Sequence, residues 1–199
     1  MVLKSGREKE GQYFRVGTVL PVLDREESND MGCGPVIVGN YLPYTERQMR
    51  LQMERMLGIP YSWGDERLDG LDCSSTVRAF YGCFGLFLPR NSGAQRLYGE
   101  KAAAEGTAEY KDLDGKSPEE KTEILRGLGI GTVLHMPGHV MIYAGEQDGV
   151  PQIFHNCDTY RSNEEEHIVR ETVISGFLPK GEGTYLDYLT AAWKPFLKE

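Results

Sequence analysis

The stretch DCSSTVRAFYGCFG, residues 72–85, predicts a helix that begins with a cysteine. Asp72 is a residue type that caps helix N-termini, and Gly85 is placed to end the helix. Apolar side chains recur along it at helical spacing; they are Val77, Phe80, Tyr81 and Phe84. Cys73 therefore falls in the first turn, where unpaired N–H groups form the positive end of the helix dipole. We expect this position to lower the pKa of the Cys73 thiol and to favour the nucleophilic thiolate.

A thiolate nucleophile needs a base, and two histidines are placed to provide one and to orient it. His139 opens a predicted strand that runs to Ala144, and His155 lies near the end of the next predicted strand, 152–156. A hairpin turn at 147–149 joins these strands, so we expect them to pair antiparallel with the imidazoles side by side. His139 is then the base, and His155 holds its ring in the working tautomer.

Zinc is the alternative that the same three side chains leave open, because cysteine and histidine are zinc ligands. No fourth ligand follows at motif spacing, so we predict neither a metal nor a cofactor. The four cysteines show no C-x-x-C spacing, which argues against a zinc ribbon and a dithiol redox motif. We interpret the other three, Cys33, Cys83 and Cys157, as structural or incidental thiols.

Elsewhere the pattern places helices before an antiparallel sheet, the order of an α+β fold. Helices are predicted to begin after Thr45 and after Ser117. A further helix is predicted from Gly93 to about Leu97. Further strands are predicted at 132–136 and 167–173. We interpret 101–115 as a surface excursion and 185–193 as a closing helix. Three short strands near the N-terminus, 13–16, 19–23 and 35–38, are expected to lean on the rest of the protein.

Composition and charge limit the function classes. The chain has 199 residues, 40% of them hydrophobic, with a formal net charge of -8. The length fits one domain with a small appendage. The acidic balance argues against nucleic acid or an anionic membrane surface as the main partner, and no apolar run approaches the roughly 18 residues that a membrane span needs. Since the first ten residues show no apolar leader core, we expect a cytoplasmic protein if the chain is complete and a periplasmic or extracellular one if a leader was removed.

Five short segments together resemble the NlpC/P60 cell-wall cysteine peptidases. Segments 58–64, 71–75, 88–95, 137–143 and 153–156 read GIPYSWG, LDCSS, LPRNSGAQ, PGHVMIY and IFHN. They follow the order of the family pattern over roughly residues 44–195. The resemblance implies a papain-like α+β fold, with the cysteine helix packed on an antiparallel β-sheet. It also implies hydrolysis of the bond between γ-D-glutamate and the diamino acid, meso-diaminopimelate or lysine, in peptidoglycan stem peptides or muropeptides.

The resemblance also assigns roles to residues. It implies Cys73 as nucleophile, His139 as base and His155 as the orienting residue of the triad. The implied substrate-binding residues are Tyr61, Asp72, Ser74 and Ser92. Tyr61 is expected near the oxyanion or the D-glutamate, which Ser92 helps to hold. Asp72 and Ser74 are expected to receive the free amine of L-alanine. For Trp63 we expect core packing.

The N-terminal region resembles part of a second module. Ser75 is typical of a subgroup that carries bacterial SH3-like domains, and segments 16–22 and 36–38 resemble the last strands of such a domain. The resemblance therefore divides the chain into a partial SH3-like segment, 1–43, and a peptidase domain, 44–199.

Two alternatives stay open. One is an amidase or acyltransferase of the same fold that acts on another amide or on a lipid. The other is a non-catalytic wall-binding module, against which the presence of all three triad residues argues. The sequence leaves the oligomeric state and the choice of diamino acid unspecified.

Overall fold

The computed structural model describes residues 41–65, 70–162 and 165–196, together with two short strands nearer the N-terminus. These strands, β1 (Arg7–Lys9) and β2 (Gln12–Phe14), pair antiparallel with each other. The segments on which the SH3-like resemblance rests, 16–22 and 36–38, lie outside the described residues, as does Cys33. The division of the chain at residue 43 therefore stays a prediction.

The described residues between 46 and 128 form four helices. They are α1 (Glu46–Met56), α2 (Cys73–Gly82), α3 (Ser92–Ala104) and α4 (Pro118–Leu128). Polar side chains cap all four, as the sequence predicts for Thr45, Asp72 and Ser117, while Asn91 caps α3. Each cap accepts a hydrogen bond from an otherwise unpaired backbone N–H, and this fixes where each helix begins.

A six-stranded antiparallel sheet has five of its strands after the helices and one between α3 and α4, which confirms the α+β fold. Its strands are β3 (Ala108–Asp112), β4 (Val133–Met136), β5 (His139–Gln147), β6 (Val150–Ser162), β7 (Glu165–Ser175) and β10 (Ala191–Pro195). Their order across the sheet is β3-β10-β4-β5-β6-β7. A separate small hairpin is formed by β8 (Pro179–Lys180) and β9 (Gly183–Thr184).

Both faces of the sheet are buried along most of β5. Along β5, Val140 and Ile142 point to one face and pack in a cluster with α1 and α2, whereas Met141 and Tyr143 point to the other face and pack with α4. This alternation places the cysteine helix against β5 and β6, as the family resemblance implies. His139 is the first residue of β5, and this end of the strand lies beside the start of α2.

Two sequence interpretations are wrong. Residues 101–115 are not a surface excursion, because α3 continues to Ala104 and β3 then forms one edge of the sheet. Residues 185–193 are not a helix, because β10 pairs on one side with β3 and on the other with β4. The apolar run that contains Trp193 is buried on both faces, and such a run suits a central strand as well as a helix.

Candidate active site

The start of α2 is held by the side chain of Asp72. Its Oδ1 accepts a hydrogen bond from the backbone N–H of Ser75 at 2.8 Å, and the Ser75 hydroxyl accepts one from the backbone N–H of Asp72 at 2.8 Å. This reciprocal capping box fixes the first turn of the helix. Cys73, the first residue of α2, is half-buried, and the backbone N–H of Val140 on β5 acts to lower the pKa of its thiol.

Arg90 neutralises the Asp72 carboxylate. Its Nη2 lies 2.7 Å from Oδ2 and its Nη1 lies 3.1 Å from Oδ1, a two-pronged ion pair. Burial alone raises the pKa of Asp72, but hydrogen bonds from Arg90 and from the Ser75 N–H outweigh it and hold that pKa below its ordinary value. Asp72 is therefore a charged and firmly bonded anchor beside the thiol.

The two predicted histidines lie side by side. Nε2 of His139 and Nδ1 of His155 are 3.0 Å apart, a hydrogen bond between the two rings. On its far side, Nε2 of His155 lies 3.3 Å from the hydroxyl of Ser175, the last residue of β7. His155 has no exposed surface and His139 is 8% exposed, so the pair is almost completely removed from water.

Burial determines the charge of these groups. It lowers the pKa of His139 to about 4, with a further contribution from the positive charge of Lys180, and it lowers the pKa of His155 as well. Burial also raises the pKa of the Cys73 thiol. The prediction that the helix end lowers this pKa is therefore wrong, because loss of water outweighs the N–H groups around the sulfur. Near neutral pH the resting site holds a neutral thiol and neutral imidazoles.

Cys73 and His139 line one pocket with a volume of about 330 Å³. Its size is within the range of roughly 300–1,000 Å³ that is usual for ligand sites. Tyr61 also lines it and is held between β7 and the loop before α2, since its backbone N–H donates to the carbonyl of Arg170 at 2.8 Å. Burial raises the pKa of Tyr61 to about 12, so its hydroxyl stays protonated and can donate a hydrogen bond.

Trp63 lies at this pocket, and the expectation of core packing is wrong. The side chain is 85% exposed although it belongs to the pocket lining. Large exposed aromatic side chains beside a pocket are well suited to bind a ligand, because they offer a wide apolar face.

The other predicted substrate-binding residues are placed differently. Asp72 lines the pocket, but Arg90 already occupies both of its oxygens. Ser74 is buried behind it and donates to the carbonyl of Arg90 at 2.8 Å. Ser92 lines a neighbouring hollow of about 230 Å³, which shares the 136–138 turn with the main pocket. Their substrate roles stay predictions.

Three residues of the site carry no signal that the sequence reasoning used. Tyr185 covers the two imidazoles, with ring centroids 5.6 Å from His139 and 6.0 Å from His155. Lys180, on the β8–β9 hairpin, brings a positive charge to the pocket. Ser175 contacts His155. All three follow the last segment that resembles the family, and only the folding of the chain brings them to the site.

In the ranges that the structure describes, no three His, Cys, Asp or Glu side chains are grouped as ligands of a metal ion. None of the helices described has the length and apolar character needed to cross a bilayer.

The chain is similar in sequence and in fold to proteins of one known family. A sequence model of the NlpC/P60 family matches residues 58–174, more than half of the chain. The search of curated proteins found no match to this chain. The fold is similar to that of an NlpC/P60 endopeptidase from Photobacterium damselae subsp. piscicida, with 18% identity, a TM-score of 0.55, and coverage of 73% of this chain and 37% of the other.

A second solved structure of an NlpC/P60 family protein comes from Bacillus cereus ATCC 10987. It shares 19% identity with this chain at a TM-score of 0.51 and covers 79% of this chain and 42% of its own length. This chain thus spans about two fifths of each of these longer proteins. At this level of identity the likeness concerns the fold.

Proposed function

The chain belongs to the NlpC/P60 family, and from that premise we propose that it is a cysteine endopeptidase acting on peptidoglycan. The proposed bond is the one between γ-D-glutamate and the diamino acid of a stem peptide. One observation carries the proposal: the Cys73 thiol at a helix start and the His139 imidazole line one pocket, and the His155 ring lies 3.0 Å behind His139. A nucleophile, a base and an orienting group are the parts that thiol-dependent acyl transfer requires.

In the proposed first step, the Cys73 sulfur attacks the carbonyl carbon while its proton passes to His139. Because both the thiol and the imidazole are neutral near neutral pH, we expect the attack by sulfur and the transfer of its proton to occur together. The resulting imidazolium is stabilised by the ring of His155, which accepts a hydrogen bond from it. Tyr61 lines the same pocket, and its hydroxyl would donate to the oxyanion or to the D-glutamate, as the family resemblance implies.

In the second step, the tetrahedral intermediate collapses. The bond to the diamino acid breaks, and His139 returns its proton to the leaving amine. The γ-D-glutamyl group stays on the sulfur as a thioester. A water molecule then gives a proton to His139 and attacks the thioester carbonyl. The C–S bond breaks, the sulfur takes the proton back from His139, and the γ-D-glutamyl product leaves with a free carboxyl group. No metal or cofactor takes part in this proposal.

Substrate charge fits the pocket. Stem peptides carry free carboxylates, and the ammonium group of Lys180 offers them a partner beside His139. Trp63 offers an aromatic face at the same pocket. If the substrate is a trimmed peptide, Asp72 and Ser74 would receive its free L-alanine amine and Ser92 would help hold the D-glutamate, as the family resemblance implies.

The test is mass spectrometry of L-Ala-γ-D-Glu-meso-diaminopimelate after incubation with the protein. We expect release of L-Ala-γ-D-Glu by the wild type and none by Cys73→Ala. The matched control is Cys83→Ala, since Cys83 is a wholly buried thiol of the core at the other end of α2. Full activity of Cys73→Ala would contradict the mechanism. Cleavage of intact sacculi but not of the tripeptide would assign the enzyme to wall remodelling.

A further inference from the structure

The Ser175 hydroxyl contacts two groups at once. Its Oγ lies 2.9 Å from the carbonyl oxygen of Gly176 and 3.3 Å from Nε2 of His155. A carbonyl oxygen only accepts hydrogen bonds, and a hydroxyl has one proton to donate. The shorter contact with Gly176 therefore takes the hydroxyl proton, and the lone pairs of Oγ remain for His155. It follows that Nε2 of His155 is the nitrogen that carries the ring proton.

This assignment determines the next ring as well. If the neutral His155 is protonated at Nε2, then its Nδ1 holds a lone pair that faces Nε2 of His139, 3.0 Å away. Two lone pairs would repel at that distance, so Nε2 of His139 carries a proton and donates it. Nδ1 of His139 is then unprotonated. Of the two nitrogens of the proposed base, Nδ1 is thus the one able to take the thiol proton.

We propose that Ser175 is a positioning residue that fixes the ring protons of both histidines and so keeps His139 ready to act as a base. The inference rests on the proposed function for its consequence in catalysis, although the ring protons themselves are independent of any substrate. Without the Ser175 oxygen, the His155 proton would be free to move to Nδ1. His139 would then be driven to the tautomer with a proton on Nδ1, which cannot accept one from Cys73.

The substitutions Ser175→Val and Ser175→Thr form a matched pair, because valine and threonine have nearly the same shape and only threonine keeps a hydroxyl. Histidine ring nitrogens are observed by ¹⁵N NMR, in which protonated and unprotonated nitrogens differ clearly. The chain has only four histidines, and His139→Gln and His155→Gln variants assign the two that matter. The hydrolysis of the tripeptide is measured on the same samples.

In the wild type we expect a proton on Nε2 of both His139 and His155. In Ser175→Val we expect a substantial population with the proton on Nδ1, a kcat about tenfold lower, and a KM that changes less than about twofold, because one hydrogen bond to a neutral group is lost. Ser175→Thr should restore the wild-type values. A merely structural role for Ser175 would alter folding without moving the ring protons.

Two results would overturn the inference. One is a wild-type His155 with its proton on Nδ1, a measurement that needs no variant to fold. The other is a Ser175→Val protein with wild-type ring protons and wild-type kcat. A wild type with the expected ring protons that cleaves no stem peptide would count against the proposed function alone.

Discussion

The two sides of the candidate site are held in different ways. On the nucleophile side, the Asp72 carboxylate accepts hydrogen bonds from the backbone N–H groups of Gly64 and Ser75 and from the guanidinium group of Arg90. On the base side, His139, His155 and Ser175 form a single row in which each link is one hydrogen bond. A redundant network tolerates the loss of one member, whereas a row does not. The base side should therefore be the more fragile of the two in catalysis.

Among the variants that compare the two sides, the largest effect is expected from His155→Ala, which removes the middle of the row. We expect kcat to fall about 100-fold or more with little change in KM, since the His139 ring loses both its orientation and the acceptor for its imidazolium proton. Steady-state kinetics on the tripeptide measures both constants. His167→Ala on β7 is the control, because His167 stacks on Tyr160 outside the site. A wild-type kcat in His155→Ala would demote His155 to a structural residue.

A smaller effect, mainly on stability, is expected from Arg90→Met. It leaves the buried Asp72 carboxylate without its cation, and we expect the free energy of unfolding to fall by about 2 kcal/mol, less than for a fully buried pair because Arg90 is partly exposed. Urea unfolding measures this. The double variant Arg90→Met/Asp72→Asn removes the charge as well and should recover part of the loss. The remaining bonds to Asp72 should keep the fall in kcat below that of His155→Ala, and the reverse order would refute the comparison.

The smallest effect is expected from Lys180→Met. The positive charge of Lys180 disfavours the imidazolium form of His139, so its removal should raise the pKa of His139 from about 4. The acidic limb of kcat/KM against pH should therefore move to higher pH, by less than about one unit because the lysine is partly exposed and screened. The shift should shrink further at high salt. Lys101→Met on α3 is the control, and a shift to lower pH in Lys180→Met would contradict the assignment.

The helix starts and the antiparallel sheet could be predicted from the sequence because both rest on local patterns. Asp72 and Ser117 are cap residues with the right partners three positions later, and the strands of β4 to β7 alternate or run apolar between turns. The pattern around 185–193 failed because its apolar residues fit a helix or a strand equally well. Pairing with β3 and β4, both distant in sequence, decides between them.

In the candidate site, too, some features follow from local sequence motifs and others depend on contacts between distant residues. The sequence motifs name Cys73, His139 and Tyr61, and the structure brings these three to one pocket. The pKa of Cys73 could not be predicted from its position in the helix, because the burial that raises this pKa arises only when the whole chain folds. Tyr185, Lys180 and Ser175 have no motif, and their roles depend on a chain path that returns to the histidines after β7.

The two tryptophans of the chain occupy opposite environments, and this gives the protein two built-in optical reporters. Trp63 is 85% exposed at the pocket, whereas Trp193 is wholly buried between α3 and the sheet. A dissolved quencher should therefore reduce the red-shifted emission of Trp63 and leave the blue-shifted emission of Trp193 unchanged. A bound ligand should protect Trp63 from the quencher, and unfolding should shift the emission of Trp193 to longer wavelength. One fluorescence titration thus separates a variant that no longer binds from a variant that no longer folds.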